Sequence, residues 1–188
     1  VTDFLTVSFS ATDYVGHRYG TFAVETEDTY LRLDKDLADF LSYLDGKFGR
    51  DGYLFVLTAD HAAAHNLTFN RDHKIPGQAY RSDQARQIID SAARAFIGKD
   101  VKVLQAYLNY QAFFNNDRID SLGIDRMGLL RAVSKALRDH LPGTAYAVPA
   151  EEVATATIPE AIKTRIINGY RKGRSGDIFL VPDPGWYS

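Results

Sequence analysis

The chain has 188 residues, 45% of them hydrophobic, enough to bury a sizeable core in one domain or in a domain with a subdomain. Twenty-two Lys and Arg against 24 Asp and Glu leave a net charge of −2 with no basic cluster, which excludes an electrostatic case for a nucleic-acid or membrane partner. The absence of Cys excludes disulfides and leaves the redox compartment open, and no run reaches the roughly 18 apolar residues of a membrane span.

Residues 4–9 (FLTVSF) are an apolar run, followed by SATDYVGH, which carries Asp13 and His17. Over residues 24–48, Tyr30, Leu33, Leu37, Phe40, Leu41, Leu44 and Phe48 recur at helical spacing, with Arg32, Asp34, Lys35, Asp36 and Asp39 between them. This predicts an amphipathic helix, and Glu25, Glu27 and Asp28 at its start suit the positive end of a helix dipole. Residues 53–61 (YLFVLTADH) follow, in which Leu54, Phe55, Val56 and Leu57 read as a strand buried on both faces and ending on Asp60 and His61. Strand, helix and strand make a right-handed βαβ unit whose strands are parallel.

After His61 a polar loop is expected, carrying His65, Asn66, Phe69, His73, Lys74 and Pro76, with its histidines solvated. Residues 81–97 predict an amphipathic helix stopped by Gly98. Residues 101–115 have the aromatic and β-branched content of a hairpin, without an Asn-Gly pair to fix its turn. Asp125 predicts the cap of a helix through Met127, Leu130, Val133 and Leu137, ended near His140 by Pro142 and Gly143. A short strand at 145–148, a helix after Pro159 and a strand at 177–181 complete the series. Tyr107, Tyr110, Phe113 and Phe114 read as core rather than as a base-stacking platform, because nothing basic lies among them. The expected fold class is α/β: part of a parallel sheet with flanking helices over residues 1–98, then a small α+β inserted or cap subdomain with a return segment over residues 99–188.

Taken singly, the two Asp/His pairs have ordinary readings. Asp13 can cap a helix with His17 one turn later, and Asp60 can be a turn residue beside an incidental His61. Both pairs, however, follow apolar runs. Ligands of open α/β sheets collect at the carboxyl ends of the strands, so neighbouring strands would bring both pairs to one edge. Carboxylate oxygen and imidazole nitrogen suit zinc ahead of manganese or iron, for one ion or for two.

The segments SFSATDYVGHRYG, ETEDTYLRLDKDLADFLSYLD and YLFVLTADH, in that order, resemble the alkaline phosphatase superfamily in its type I phosphodiesterase and nucleotide pyrophosphatase branch. The nearest likeness is to bacterial phosphate-irrepressible alkaline phosphatases. It spans about residues 1–64, and residues 167–187 (INGYRKGRSGDIFLVPDPGWY) are similar as well. Ala62 departs from the Gly that many such proteins carry after the Asp-His pair.

The resemblance implies two zinc ions, one held by Asp13 and His17 and the other by Asp60 and His61. It assigns no catalytic residue to this chain, because the Thr or Ser nucleophile, another Asp ligand and the substrate-binding Asn, Lys and Arg are expected before Val1, and a further His ligand after Ser188. The expectation is therefore an internal portion of a zinc-dependent phosphate-ester hydrolase that acts on small monoesters through a phosphoenzyme, in the periplasm or exported, and has no appreciable turnover by itself. A phosphodiesterase, nucleotide pyrophosphatase or sulfatase of the same superfamily is the alternative, as is a non-catalytic metal-binding domain derived from one. Oligomeric state is not legible.

Overall fold

The computed structural model describes residues 3–187. It divides into two compact units, one running to Pro76 and the other starting at Gly77.

In the first unit, helix α1 (Ser10–Tyr19) carries Asp13 in its first turn, and α2 (Val24–Phe48) is the long helix that the periodicity predicts. α2 opens with Glu25 and Glu27 and closes with Lys47 before Gly49, whose φ of 76° lets the chain leave the helix. A third helix, α3 (Leu67–Asp72), replaces the loop expected there; Asn66 caps it by accepting a hydrogen bond from the Phe69 N–H at 2.8 Å.

The two apolar runs take neither helix nor strand. Residues 4–8 and 54–57 make no backbone–backbone hydrogen bond among the described residues, and Phe4 and Leu54 are about nine-tenths exposed, at 91% and 90%. The parallel βαβ ladder expected from them is therefore not formed. A strand buried on both faces needs ladder partners at its edges and helices over its faces, and the described residues of this unit supply neither to these runs. α2 shows the same lack of cover, burying only Thr26 while Tyr30, Leu31, Tyr43 and Phe48 stay exposed.

The second unit contains all the buried apolar side chains of the described residues. Helix α4 (Ser82–Ile97) ends at Gly98 in the left-handed conformation, as the sequence predicts. α4 belongs to this second unit, which starts at Gly77. Strands β1 (Leu104–Leu108) and β2 (Gln111–Phe114) form a hairpin, followed by helices α5 (Asn116–Ser121) and α6 (Arg126–His140). Strand β3 (Thr144–Pro149), a 3-10 turn (Ala150–Thr155), helix α7 (Glu160–Gly169) and strand β4 (Ile178–Pro182) follow.

The sheet is antiparallel, in the order β1-β2-β4-β3, with Tyr146 opposite Val181 and Val148 opposite Phe179. α4 and α6 pack together against it, burying Ala85, Ile89, Leu130, Val133 and Leu137 on Tyr107, Ala112, Ala147 and Ile178. Each fully buried Leu, Ile or Val contributes about 1.5–3 kcal/mol, so this unit carries the stability of the chain. Asp125 caps α6 through the Gly128 N–H at 3.1 Å, as expected. The tail pairs with the start of the unit: the Tyr80 N–H donates to the Tyr187 carbonyl at 3.0 Å, and a Cβ on Gly77 would lie 2.2 Å from the Gly185 carbonyl oxygen.

Candidate metal centre

α1 presents Asp13 and His17 four residues apart, hence on one helical face. The His17 Nε2 lies 3.3 Å from Asp13 Oδ1. From beyond the second apolar run, His61 brings its Nε2 to 3.8 Å from the same Asp13 oxygen, and the two imidazole rings stand edge to face with centroids 6.3 Å apart. One donor atom from each of Asp13, His17 and His61 thus lies within 4.8 Å of the others. Donors placed about 2.0–2.1 Å from a tetrahedral zinc stand roughly 3.3–3.5 Å from one another, so the set suits such an ion in chemistry, the 3.3 Å edge matches it, and the 3.8 Å edge would have to close by a few tenths of an ångström.

The surroundings prepare His61. Its Nδ1 is 3.1 Å from the Ala62 carbonyl, which can only accept, so Nδ1 is the donor there and Nε2 is the ring atom turned toward Asp13 and Asp60. Asp60 accepts the His61 backbone N–H on Oδ1 at 3.1 Å and leaves Oδ2 3.7 Å from His61 Nε2. His61 therefore stands between the two carboxylates, and Asp60, at 90% side-chain exposure, joins the group through it. All four residues singled out in the sequence come together. Asp13, His17 and His61 each turn a donor atom to one point and Asp60 stands beside His61, while the division of the four into two pairs is what the family resemblance implies.

The segment after His61 holds what the sequence reading missed. His65 is half-buried between the rings of Phe22 and Phe69, with centroids 4.9 and 4.3 Å away, and its Nδ1 shares a 2.8 Å hydrogen bond with the Thr21 hydroxyl. It is not a solvated loop histidine. The local signal was Asn66 itself, a favoured N-cap residue directly before Leu67.

A family model described as type I phosphodiesterase / nucleotide pyrophosphatase matches residues 1–188. The chain belongs to this family. It is 40% identical over 188 residues to the alkaline phosphatase PafA of Elizabethkingia meningoseptica, covering all of this chain and 34% of that protein. The alkaline phosphatase PhoV of Synechococcus elongatus is 41% identical over 189 residues, with 99% of this chain and 33% of the relative covered. A calcium-transporting ATPase of Myroides odoratus is 40% identical over 193 residues, with 100% and 34% covered. The crystal structure of wild-type alkaline phosphatase PafA superposes with a TM-score of 0.84 at 38% identity, over 95% of this chain and 33% of that one. The chain thus spans about a third of the length of these relatives. The mixed helix-and-sheet fold expected from the sequence is borne out, and its sheet is the antiparallel one of the second unit. Among the described residues no helix is long and apolar enough to cross a membrane.

Proposed function

We propose that this chain is the metal-binding central portion of a phosphate-ester hydrolase, acting in the full protein on small phosphomonoesters through a phosphoenzyme with two zinc ions. The observation that carries the reading is the convergence of Asp13, His17 and His61 on one point, with Asp60 beside His61. Membership of a phosphoesterase family and likeness to two alkaline phosphatases support the reaction class. Cations at such a site supply Lewis-acid polarisation and offset the charge that grows on a phosphoryl group.

The chain's own residues would hold and orient that charge. Asp13 supplies a carboxylate oxygen between two imidazoles, and the Ala62 carbonyl accepts from Nδ1 of His61 in the tautomer that turns Nε2 toward Asp13. None of these four is a nucleophile, and we assign none to residues 1–188. The chain alone is accordingly expected to hold metal weakly and to show no appreciable turnover. By resemblance, the full protein works in the periplasm or outside the cell.

The family description favours a second reading, cleavage of a diester or pyrophosphate. The test is the zinc content of the purified chain together with hydrolysis of p-nitrophenyl phosphate, bis-p-nitrophenyl phosphate, p-nitrophenyl sulfate and ATP by the full-length protein. Monoester turnover well above the others supports the first reading. A diester preference replaces it with the second, and a metal-replete full-length protein inert on all four overturns both in favour of a binding domain.

A further inference from the structure

Between His61 and α3, residues 61–66 have no helix or strand to hold them. His61 nevertheless reaches the face of α1. Two side chains at the end of this segment account for that, and both grip the turn leaving α1. The Asn66 side chain spans two elements, its Nδ2 donating to the Tyr19 carbonyl at 2.8 Å while its Oδ1 caps α3. Only one orientation of the amide satisfies both partners, because a carbonyl accepts and a backbone N–H donates. His65 bonds the Thr21 hydroxyl and lies between Phe22 and Phe69.

The turn that receives them is itself fixed. The buried Thr26 hydroxyl donates to the Gly20 carbonyl at 2.7 Å, and the Gly20 N–H donates to the Gly16 carbonyl at 2.9 Å. Gly20 has a φ of 89°, which strains any other residue, and a Cβ there would come 3.0 Å from Asn66 Nδ2, close enough to push the amide back by a few tenths of an ångström. Farther up α1, a Cβ on Gly16 would lie 3.9 Å from the Ala63 Cβ, ordinary packing distance for the residue two beyond His61.

We infer that Asn66, with His65 and Thr21, positions the candidate metal centre by pinning the segment that carries His61 to the end of the helix that carries Asp13 and His17. The inference rests on the metal reading of those three residues. The pins act at a distance from the ion: loss of one leaves every donor atom in the chain and loosens only the placement of His61 relative to α1. Its signature is weaker and differently shaped coordination at unchanged helix content.

The experiment titrates the 188-residue chain with Co²⁺, reading the visible ligand-field bands, and with Zn²⁺ in competition with a chromophoric chelator. Asn66→Asp keeps the oxygen that caps α3 and loses the donor to Tyr19. Thr21→Val takes no part in the cap and loses the bond to His65. Each is expected to lower Zn²⁺ affinity about tenfold and to alter the Co²⁺ bands while far-ultraviolet circular dichroism stays as in the parent. Asn66→Ser, which caps but cannot reach Tyr19, should behave like Asn66→Asp.

Parent-like affinity and bands in Thr21→Val, or in both Asn66 variants, overturn the pinning inference. The metal reading then stands or falls separately, on whether Asp13→Ala abolishes binding. If Asp13→Ala binds as tightly as the parent, or the parent takes up no metal, the metal reading fails and the pinning inference fails with it.

Discussion

Asp13 Oδ1 lies 3.8 Å from His61 Nε2, although one residue sits on a helix that follows the first apolar run and the other lies just beyond the second. This contact makes Asp13 the hub, since the same oxygen is 3.3 Å from His17 Nε2. Asp60, by contrast, approaches only His61 among the described residues, and from solvent. Asp13→Ala should therefore cost the chain more zinc affinity than Asp60→Ala, at least tenfold between the two variants. Chelator competition measures this directly. The reverse order would mean that Asp60 and His61 hold the tighter ion and that the triad is not the primary site.

How much of this was legible depends on where the partners of each residue lie. In the second unit, the cap at Asp125, the stop at Gly98 and the strands Thr144–Pro149 and Ile178–Pro182 were readable, because the helices and strands they pack against lie in the same unit. The hairpin turn was not. It falls at Asn109 and Tyr110, with φ of 48° and 59°, and Tyr at a left-handed position carries no turn signal. The cost is offset by the Tyr110 ring packing edge to face on buried Tyr80 at 5.1 Å. In the first unit, periodicity marked the residues that would be buried in a completed sheet, and it carries no information on whether neighbours are at hand for residues 4–9 and 54–57. The four metal candidates were singled out by residue type, and three of them, Asp13, His17 and His61, lie within 4.8 Å of one another because the irregular segment after His61 settles against α1.

Asp177 ties the second unit together from inside. Its Oδ2 accepts the Phe114 N–H at 2.7 Å, while its Oδ1 accepts from Asn116 Nδ2 at 3.1 Å and from Arg126 Nη2 at 2.7 Å. Asp177→Ala leaves a strand N–H and a mostly buried guanidinium without this partner, which should cost about 2–4 kcal/mol. Glu151, the other carboxylate on Arg126, is about half exposed, and its removal should cost about 1 kcal/mol or less. Urea unfolding of both variants checks the contrast, and equal losses would remove Asp177 from the centre of the network.

Alkali should unfold the second unit through its buried phenols. Tyr107 is 2% exposed and donates to the Tyr80 hydroxyl at 3.3 Å. Burial, reinforced by that bond, pushes the Tyr107 phenol far above its ordinary value, and burial also raises Tyr80. A folded-state value above the unfolded one of about 10 gives stability that is fully present below about pH 10 and is lost as the pH climbs toward the folded value. The urea midpoint should hold up to about pH 10 and then fall, and the fall should be shallower in Tyr107→Phe. Parallel curves for parent and variant would show that other groups drive the loss.

The exposed apolar runs make a last expectation for the isolated chain. Phe4, Leu5 and Val7 are 91%, 72% and 55% exposed, and Leu54, Val56 and Leu57 are 90%, 73% and 63% exposed, in segments whose backbone has no ladder partner among the described residues. Short runs of β-branched and aromatic residues without charge or proline are templates for intermolecular strand pairing. Among the described residues, the first unit has no buried apolar side chain of its own to oppose such pairing. The chain should therefore self-associate in a concentration-dependent way and bind a hydrophobic dye, and Val7→Lys with Val56→Lys should suppress both by placing a charge in each run. Sedimentation velocity across a hundredfold concentration range decides it. A monomer throughout, without dye binding, would mean that these runs find cover within one chain, while association that survives both lysines would move the sticky surface to the uncovered face of α2, where Tyr30, Leu31 and Tyr43 are each more than half exposed.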